Sequence, residues 1–261
     1  MSVSLIITTY NRPDALFLIL RSILCQTKPP NEIVIADDGS DNLTKNCIED
    51  FQKLSNVKVF HSWQQDKGFR VARSRNKAIA KSSSDYIILI DGDMILHRKF
   101  IEDHINHSEH GFFVQGSRAL LTEDSTKQTL ANNNIKFSFF SKGIKNRKNS
   151  LYSLFLSKIF IYKKTHLRKV RTCNISFFKQ DCININGFNN DIEGWGREDS
   201  EFVNRLLNNG INCKVVHFNL LQFHLWHKQS TRSYLPKNDS ILKESIDKKL
   251  NWCKNGLNKY L

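Results

Sequence analysis

Tyr86-Ile87-Ile88-Leu89-Ile90-Asp91-Gly92-Asp93 is an apolar run of five residues that ends in two carboxylates around a glycine. A short continuous apolar run bounded by a turn signal predicts a buried strand. The strand would carry both aspartates to its exposed tip. Gly92 would let a ligand approach the backbone closely. One aspartate can coordinate a divalent cation while the other bonds a ribose hydroxyl. Hard oxygen ligands suit Mg²⁺ or Mn²⁺, and such a metal would bridge the phosphates of a nucleotide. The plainer alternative is an acidic turn.

Working outward, the same pattern repeats. Residues 3–9 predict a buried strand, and Asn11-Arg12-Pro13-Asp14 turns the chain into an apolar helix through Leu16, Leu20, Ile23 and Leu24. Pro29-Pro30 breaks that helix, and residues 32–36 make a second strand ending in Asp37-Asp38-Gly39-Ser40. A helix over 43–54, a strand over 57–60 and a helix over 71–82 lead to the strand at 86–90. Strand alternating with helix predicts an α/β fold with a mostly parallel sheet. Ligands in such sheets sit beyond the carboxyl ends of strands, where both acidic clusters fall. Asp37-Asp38 suits a loop that hydrogen-bonds a base or ribose, or a simple Asx turn.

The chain of 261 residues can bury a substantial core. Its 39 Lys+Arg against 25 Asp+Glu give +14, which favours an anionic partner: nucleic acid, a phosphorylated substrate or an acidic membrane surface. Six scattered cysteines without a CxxC pair read as reduced thiols. No basic n-region with a long apolar h-region opens the chain, and no apolar run approaches the ~20 residues of a membrane span. The expectation is a cytoplasmic protein.

Residues 136–171 have a different character: many Lys and Arg, no acidic residue, and interleaved aromatic and aliphatic side chains. That mixture fits an interfacial element at the inner face of the cytoplasmic membrane, or a mobile excursion that packs on the core.

Gly194-Trp195-Gly196-Arg197-Glu198-Asp199-Ser200-Glu201-Phe202 brings three carboxylates, an arginine and an indole to a predicted helix start, with Gly210 placed to stop the helix. Trp195 offers a flat face for a sugar ring. Glu198 and Asp199 could hold or deprotonate a hydroxyl, or only complement the helix dipole. His224 and His227 could complete a metal site, shifting preference towards Mn²⁺, or be plain buried or solvated side chains. His104, His107 and His110 read as the solvated face of a polar helix.

Thr8-Thr9-Tyr10-Asn11-Arg12, Asp37-Asp38-Gly39-Ser40, Gly68 to Asn76, Asp91-Gly92-Asp93 and the Gly194–Phe202 stretch, in this order, resemble the family 2 glycosyltransferases of the GT-A fold. The last element is similar to the acceptor motif of β-1,4-galactosyltransferases and chondroitin-polymerase-like enzymes. The resemblance implies a nucleotide-sugar-binding half over 1–115, a connection over 116–135, the basic excursion over 136–171, an acceptor and catalytic half over 172–230 and a helical tail over 231–261. It implies that Thr9, Tyr10, Arg12 and Asp38 hold the nucleotide base, that Asp91 bonds the ribose and that Asp93, His227 and His224 ligate Mn²⁺ (or Mg²⁺). Lys67, Arg73 and Arg75 would line the donor pocket. Asp199 would be the catalytic base and Glu198 a binder of sugar hydroxyls, with Trp195, Gly196 and Arg197 on the acceptor. Arg197 replaces a usual glycine, and Ser200 a frequent third carboxylate.

The expected activity is inverting transfer of a hexose or N-acetylhexosamine from a UDP-sugar to a glycan or glycolipid acceptor of lipopolysaccharide, lipooligosaccharide or capsule type. A nucleic-acid-binding protein would share the basic charge, but strand-tip carboxylates would repel a phosphate backbone. A non-catalytic carbohydrate-binding module would not need the acidic set.

Overall fold

Continuous β-branched runs make the first strands, and the computed structural model pairs them in register. It describes residues 1–167, 170–228 and 231–261. Arg168 and Lys169 of the basic stretch, and Gln229 and Ser230 at the end of the 172–230 part, lie outside the described residues. The first part of the chain gives β1 (Val3–Thr9), α1 (Pro13–Leu24), β2 (Glu32–Asp37), α2 (Asn42–Leu54), β3 (Lys58–Trp63), α3 (Val71–Lys81) and β4 (Tyr86–Asp91). There follow β5 (Met94–Leu96), α4 (Phe100–His107), β6 (Phe112–Gln115), β7 (Ala119–Leu120), α5 (Glu123–Ala131), α6 (Leu154–Phe160) and β8 (Tyr162–Lys164). The remainder is β9 (Asn174–Phe178), α7 (Lys179–Asn184), α8 (Glu198–Asn208), β10 (Asn212–Val215), β11 (Gln222–His224) and α9 (Leu235–Asp247).

The main sheet runs β3-β2-β1-β4-β9-β6-β10-β8 and a smaller one β5-β11-β7. Strands β1 to β4 are parallel, as the alternation predicts. The third strand runs on to Trp63 rather than stopping at residue 60, because Ala36 and Asp37 still pair with Ser62 and Trp63. Between β4 and β6 lies β9, antiparallel to both. Ile6, Val34, Leu89, Ile175, Phe177, Phe188 and Phe202 pack on one face of the sheet, and Leu5, Ile7, Leu16, Ile33 and Ile88 on the other. The six cysteines are free thiols.

His104, His107 and His110 do not share one solvated face: His110 is exposed, but the helix turns His104 inward. His104 is fully buried, with Nδ1 2.8 Å from Ser176 Oγ and Nε2 3.0 Å from Asn174 Oδ1. Polar side chains on β9 accept a polar helix face that the sequence pattern assigns to water. Burial pushes the His104 pKa down to about 3, so the ring is neutral there. His110 stacks on Phe178, with ring centroids 3.9 Å apart.

Candidate active site

The carboxyl ends of β1, β2 and β4 converge on one mouth, and α8 opens against it. Asp91 ends β4 and Asp93 follows it. Gly92 is demanded by the chain itself: a Cβ there would lie 2.3 Å from the Thr8 carbonyl oxygen. The strand-tip loop is therefore held against the end of β1.

Asp93 meets both histidines. Its Oδ2 lies 3.2 Å from His224 Nε2 and 3.2 Å from His227 Nε2. The three side chains form a group that could hold a metal ion, with ligand atoms within 4.8 Å of one another. β11 places His224 by pairing antiparallel with β5, so that His224 faces Met94. His227 Nδ1 is 2.8 Å from the Lys228 carbonyl oxygen, a contact that turns Nε2 towards Asp93. Asp93 Oδ1 is buried without a partner. A carboxylate and two imidazoles, with one orphaned oxygen, fit a borderline cation such as Mn²⁺ better than Mg²⁺. Burial would raise the Asp93 carboxyl, but His224, His227 and Arg118 outweigh it and hold it below the usual carboxylate range.

Arg75 is the hub of the other cluster. Only 3% of its side chain is exposed, yet it reaches Asp91 (2.9 Å), Asp199 (3.3 Å) and Glu198 (3.9 Å). Its Nε donates to Thr8 Oγ1 at 3.2 Å, and the guanidinium lies 5.2 Å from the Phe188 ring centroid. Burial would lower the Arg75 pKa, but Asp91, Asp199 and Glu198 overcome it and raise the pKa above its ordinary value. Arg75 thus joins the nucleotide side of the mouth to the carboxylates of α8.

Those carboxylates part into three environments. Asp199 accepts from Thr172 N–H at 3.1 Å, from the Thr172 hydroxyl and from Arg75. Of its roughly four lone-pair sites three are used, which leaves one for an incoming hydroxyl. Glu198 has a buried Oε2 with no partner. Burial first, then Asp199, push its pKa up to about 8 against the pull of Arg75, so it is mostly protonated at neutral pH. Glu201 faces the core instead, where Arg205 donates to both its oxygens at 2.7 and 2.6 Å. Breaking such a buried pair is costly. Glu201→Gln is expected to lower stability by about 3 kcal/mol in urea titrations while leaving nucleotide binding unchanged. A loss below about 1 kcal/mol would contradict the structural role.

Arg197 sits at φ 78°, in the left-handed region, between Gly196 (φ 104°) and the first turn of α8. That conformation explains why glycine is usual there. Here an arginine carries the strain, and its Nε donates to Asp239 of α9 at 2.5 Å. Trp195 is 42% exposed, and the Arg232 guanidinium lies 5.1 Å from its ring. Lys67, Phe69, Arg70, Glu193, Trp195 and Tyr234 line a cavity of about 240 Å³ beside it.

On the nucleotide side, Thr9 Oγ1 is buried without a partner. Asp38 is also buried, and burial raises its pKa, but both oxygens are engaged: Oδ1 by Gln64 at 2.5 Å and Oδ2 by Arg70 N–H at 2.7 Å. Asp37 is the turn-former, accepting from Gly39 and Ser40 N–H. Tyr10 is exposed and donates to Asp66 at 2.9 Å, while Arg12 pairs with Asp14 at 2.9 Å. Arg73 Nε is buried and unpartnered. Thr172 and Arg118 join the site unforeseen, the latter donating to Cys173 Sγ at 3.4 Å beside Asp91 and Asp93. Arg118 follows the end of β6, a position that marks the sheet's ligand edge.

The chain resembles known proteins along most of its length. The chondroitin synthase of Pasteurella multocida (strain Pm70) is 24% identical over 234 residues, which cover 83% of this chain and 24% of that protein. The chain thus spans about a quarter of that relative's length. The crystal structure of S. aureus TarS 1–349 in complex with UDP superposes with a TM-score of 0.63 at 16% identity, over 94% of this chain and 65% of that one. The mannosyltransferase PcManGT from Pyrobaculum calidifontis, in complex with GDP-Man and Mn²⁺, gives 0.63 at 13% identity, over 95% and 63%. At these identities the structures share the fold, which is GT-A. A family model for the N-terminal domain of galactosyltransferase matches residues 155–228. The model for glycosyl transferase family 2 matches residues 4–171, more than half of the chain, and the chain belongs to that family.

Proposed function

We propose that this chain is an inverting, metal-dependent glycosyltransferase that moves a hexose or N-acetylhexosamine from a UDP-sugar to a hydroxyl of a growing surface glycan. The acceptor class is a lipopolysaccharide, lipooligosaccharide or capsule chain, met at the inner face of the cytoplasmic membrane. The observation that carries the reading is the meeting of Asp91, Glu198 and Asp199 on Arg75, with Asp93, His224 and His227 at the same strand tip.

Asp199 takes the acceptor proton as the hydroxyl attacks the anomeric carbon from the face opposite the leaving group. Direct in-line attack inverts the centre, so an α-linked donor yields a β-linked product. Arg75 and Thr172 fix the Asp199 carboxylate for that transfer. Protonated Glu198 can donate to a sugar oxygen, and Trp195 supplies a stacking face. Thr9, Tyr10, Arg12 and Asp38 bind the base, and Asp91 the ribose. Asp93, His224 and His227 would hold Mn²⁺ (or Mg²⁺), which when bound supplies positive charge opposite the diphosphate leaving group.

A screen of UDP-sugars for slow donor hydrolysis tests the reading. One hexose or N-acetylhexosamine donor is expected to be cleaved above the rest, and exhaustive chelation to abolish cleavage. His227→Ala is expected to raise the Mn²⁺ concentration for half-maximal rate by at least about tenfold, the loss that even outer-shell groups produce. Turnover that survives chelation would overturn the metal assignment.

A further inference from the structure

Helix α6 is turned inside out. A surface helix ordinarily hides its apolar stripe and shows its polar residues to water. Here Ser157 is the buried residue of the helix, while Leu154, Phe155, Ile159 and Phe160 are 52 to 72% exposed. Ser157 Oγ has no hydrogen-bond partner. Tyr162, half exposed, extends the apolar surface onto β8. Phe160 packs on Phe218, and Tyr162 lies beside His217, so the helix is fixed to the body of the protein rather than trailing from it. An exposed apolar surface of this kind marks contact with another apolar phase.

The charge around it selects that phase. Lys145, Lys148 and Lys158 are exposed along the segments that lead into and through the helix. Residues 136–171 contain no carboxylate, and nearby Glu109 is already taken by Lys163 and Lys214. A stacking platform for nucleic acid would present aromatic faces, whereas Leu154 and Ile159 have none to offer. Aliphatic and aromatic residues within a lysine fringe match the boundary between acyl chains and anionic headgroups.

We propose that the α6–β8 surface is a docking crest for an anionic lipid bilayer, with Phe155 and Ile159 entering the headgroup–acyl boundary and the lysines engaging the headgroups. Among the described residues no helix is long and apolar enough to cross a membrane, so this contact lies on the bilayer surface. The proposal is independent of the transfer reaction, because partitioning is read without turnover.

Sedimentation of the whole chain with phosphatidylcholine vesicles, with and without phosphatidylglycerol, tests it. Binding is expected to the anionic vesicles and to fall steeply with salt. The double substitution Phe155→Ser with Ile159→Ser is expected to lower the partition coefficient by at least about tenfold. Lys148→Gln and Lys158→Gln are each expected to lower it by about fivefold. All these positions are exposed, so the melting temperature should hold, and a variant that melts early is replaced by the single Phe155→Ser. Partitioning unmoved by the apolar substitutions would overturn the proposal. So would tighter binding to a single-stranded oligonucleotide that resists those substitutions.

Discussion

Asp199→Asn is expected to lower kcat by about 10²–10⁴-fold, the range that a positioned general base supplies, with little change in UDP binding. The amide keeps the shape that Thr172 and Arg75 surround but cannot take a proton. Glu198→Gln should behave differently. Burial keeps Glu198 protonated up to about pH 8, so glutamine imitates the form present at neutral pH and retains most of the activity there. Wild-type activity should fall above pH 8, as Glu198 loses its donor proton, and Glu198→Gln should flatten that limb.

Stability carries the same signature. The folded carboxyl releases its proton near 8, whereas the unfolded chain releases it near 4.5. The contribution of Glu198 is therefore complete below about 4.5. It is lost by up to about 1.4 kcal/mol per pH unit as the pH rises towards 8. Urea titrations of wild type and Glu198→Gln at pH 5 and 8 should diverge in that direction. Parallel stabilities would refute the buried, protonated Glu198. Near wild-type turnover of Asp199→Asn would remove Asp199 from the base role.

Arg75→Met is expected to cost about 3–5 kcal/mol of stability and essentially all activity. Methionine would leave the Asp91 and Asp199 carboxylates beside Glu198 without their shared cation, and breaking a buried ionic cluster from one side carries that penalty. In a chain of this size the melting temperature should drop by on the order of 10 °C. The loss should shrink in acid, where the carboxylates take up protons. Arg75→Lys should recover part of the stability but less of the activity, since one ammonium cannot match the planar fork that reaches Asp91 and Asp199 together. An unchanged melting temperature for Arg75→Met would show that Asp91 and Asp199 do not depend on it.

The legible part of this protein is its parallel core. Strands β1, β2 and β4 are continuous apolar runs, and the acidic residues that end β2 and β4 mark the ligand edge. The α/β alternation and a helix start within Gly194–Phe202 follow from those local patterns, and the GT-A fold from the resemblance that the ordered motifs carry. Strands β5, β7 and β11 are two or three residues long and exist through pairing with one another, so no periodicity announces them. His104 was hidden for a related reason: its partners Ser176 and Asn174 lie on a distant strand. The resemblance marks Arg75 as a donor-pocket residue, but its reach to Glu198 and Asp199 depends on where the tertiary fold sets the start of α8. Thr172 and Arg118 carry no motif at all.

The placement of β9 has a consequence for synthesis. Strands β1 to β4 can pair as soon as they leave the ribosome, but the partner of β4 on its other side comes from much later in the chain. Until Asn174–Phe178 has been made, β4 is an apolar strand with an open hydrogen-bonding edge, the kind of surface that recruits other nascent chains. The same segment brings Thr172, two residues before β9, to the Asp199 carboxylate. Completion of the mouth and protection from aggregation therefore arrive in a single late folding event.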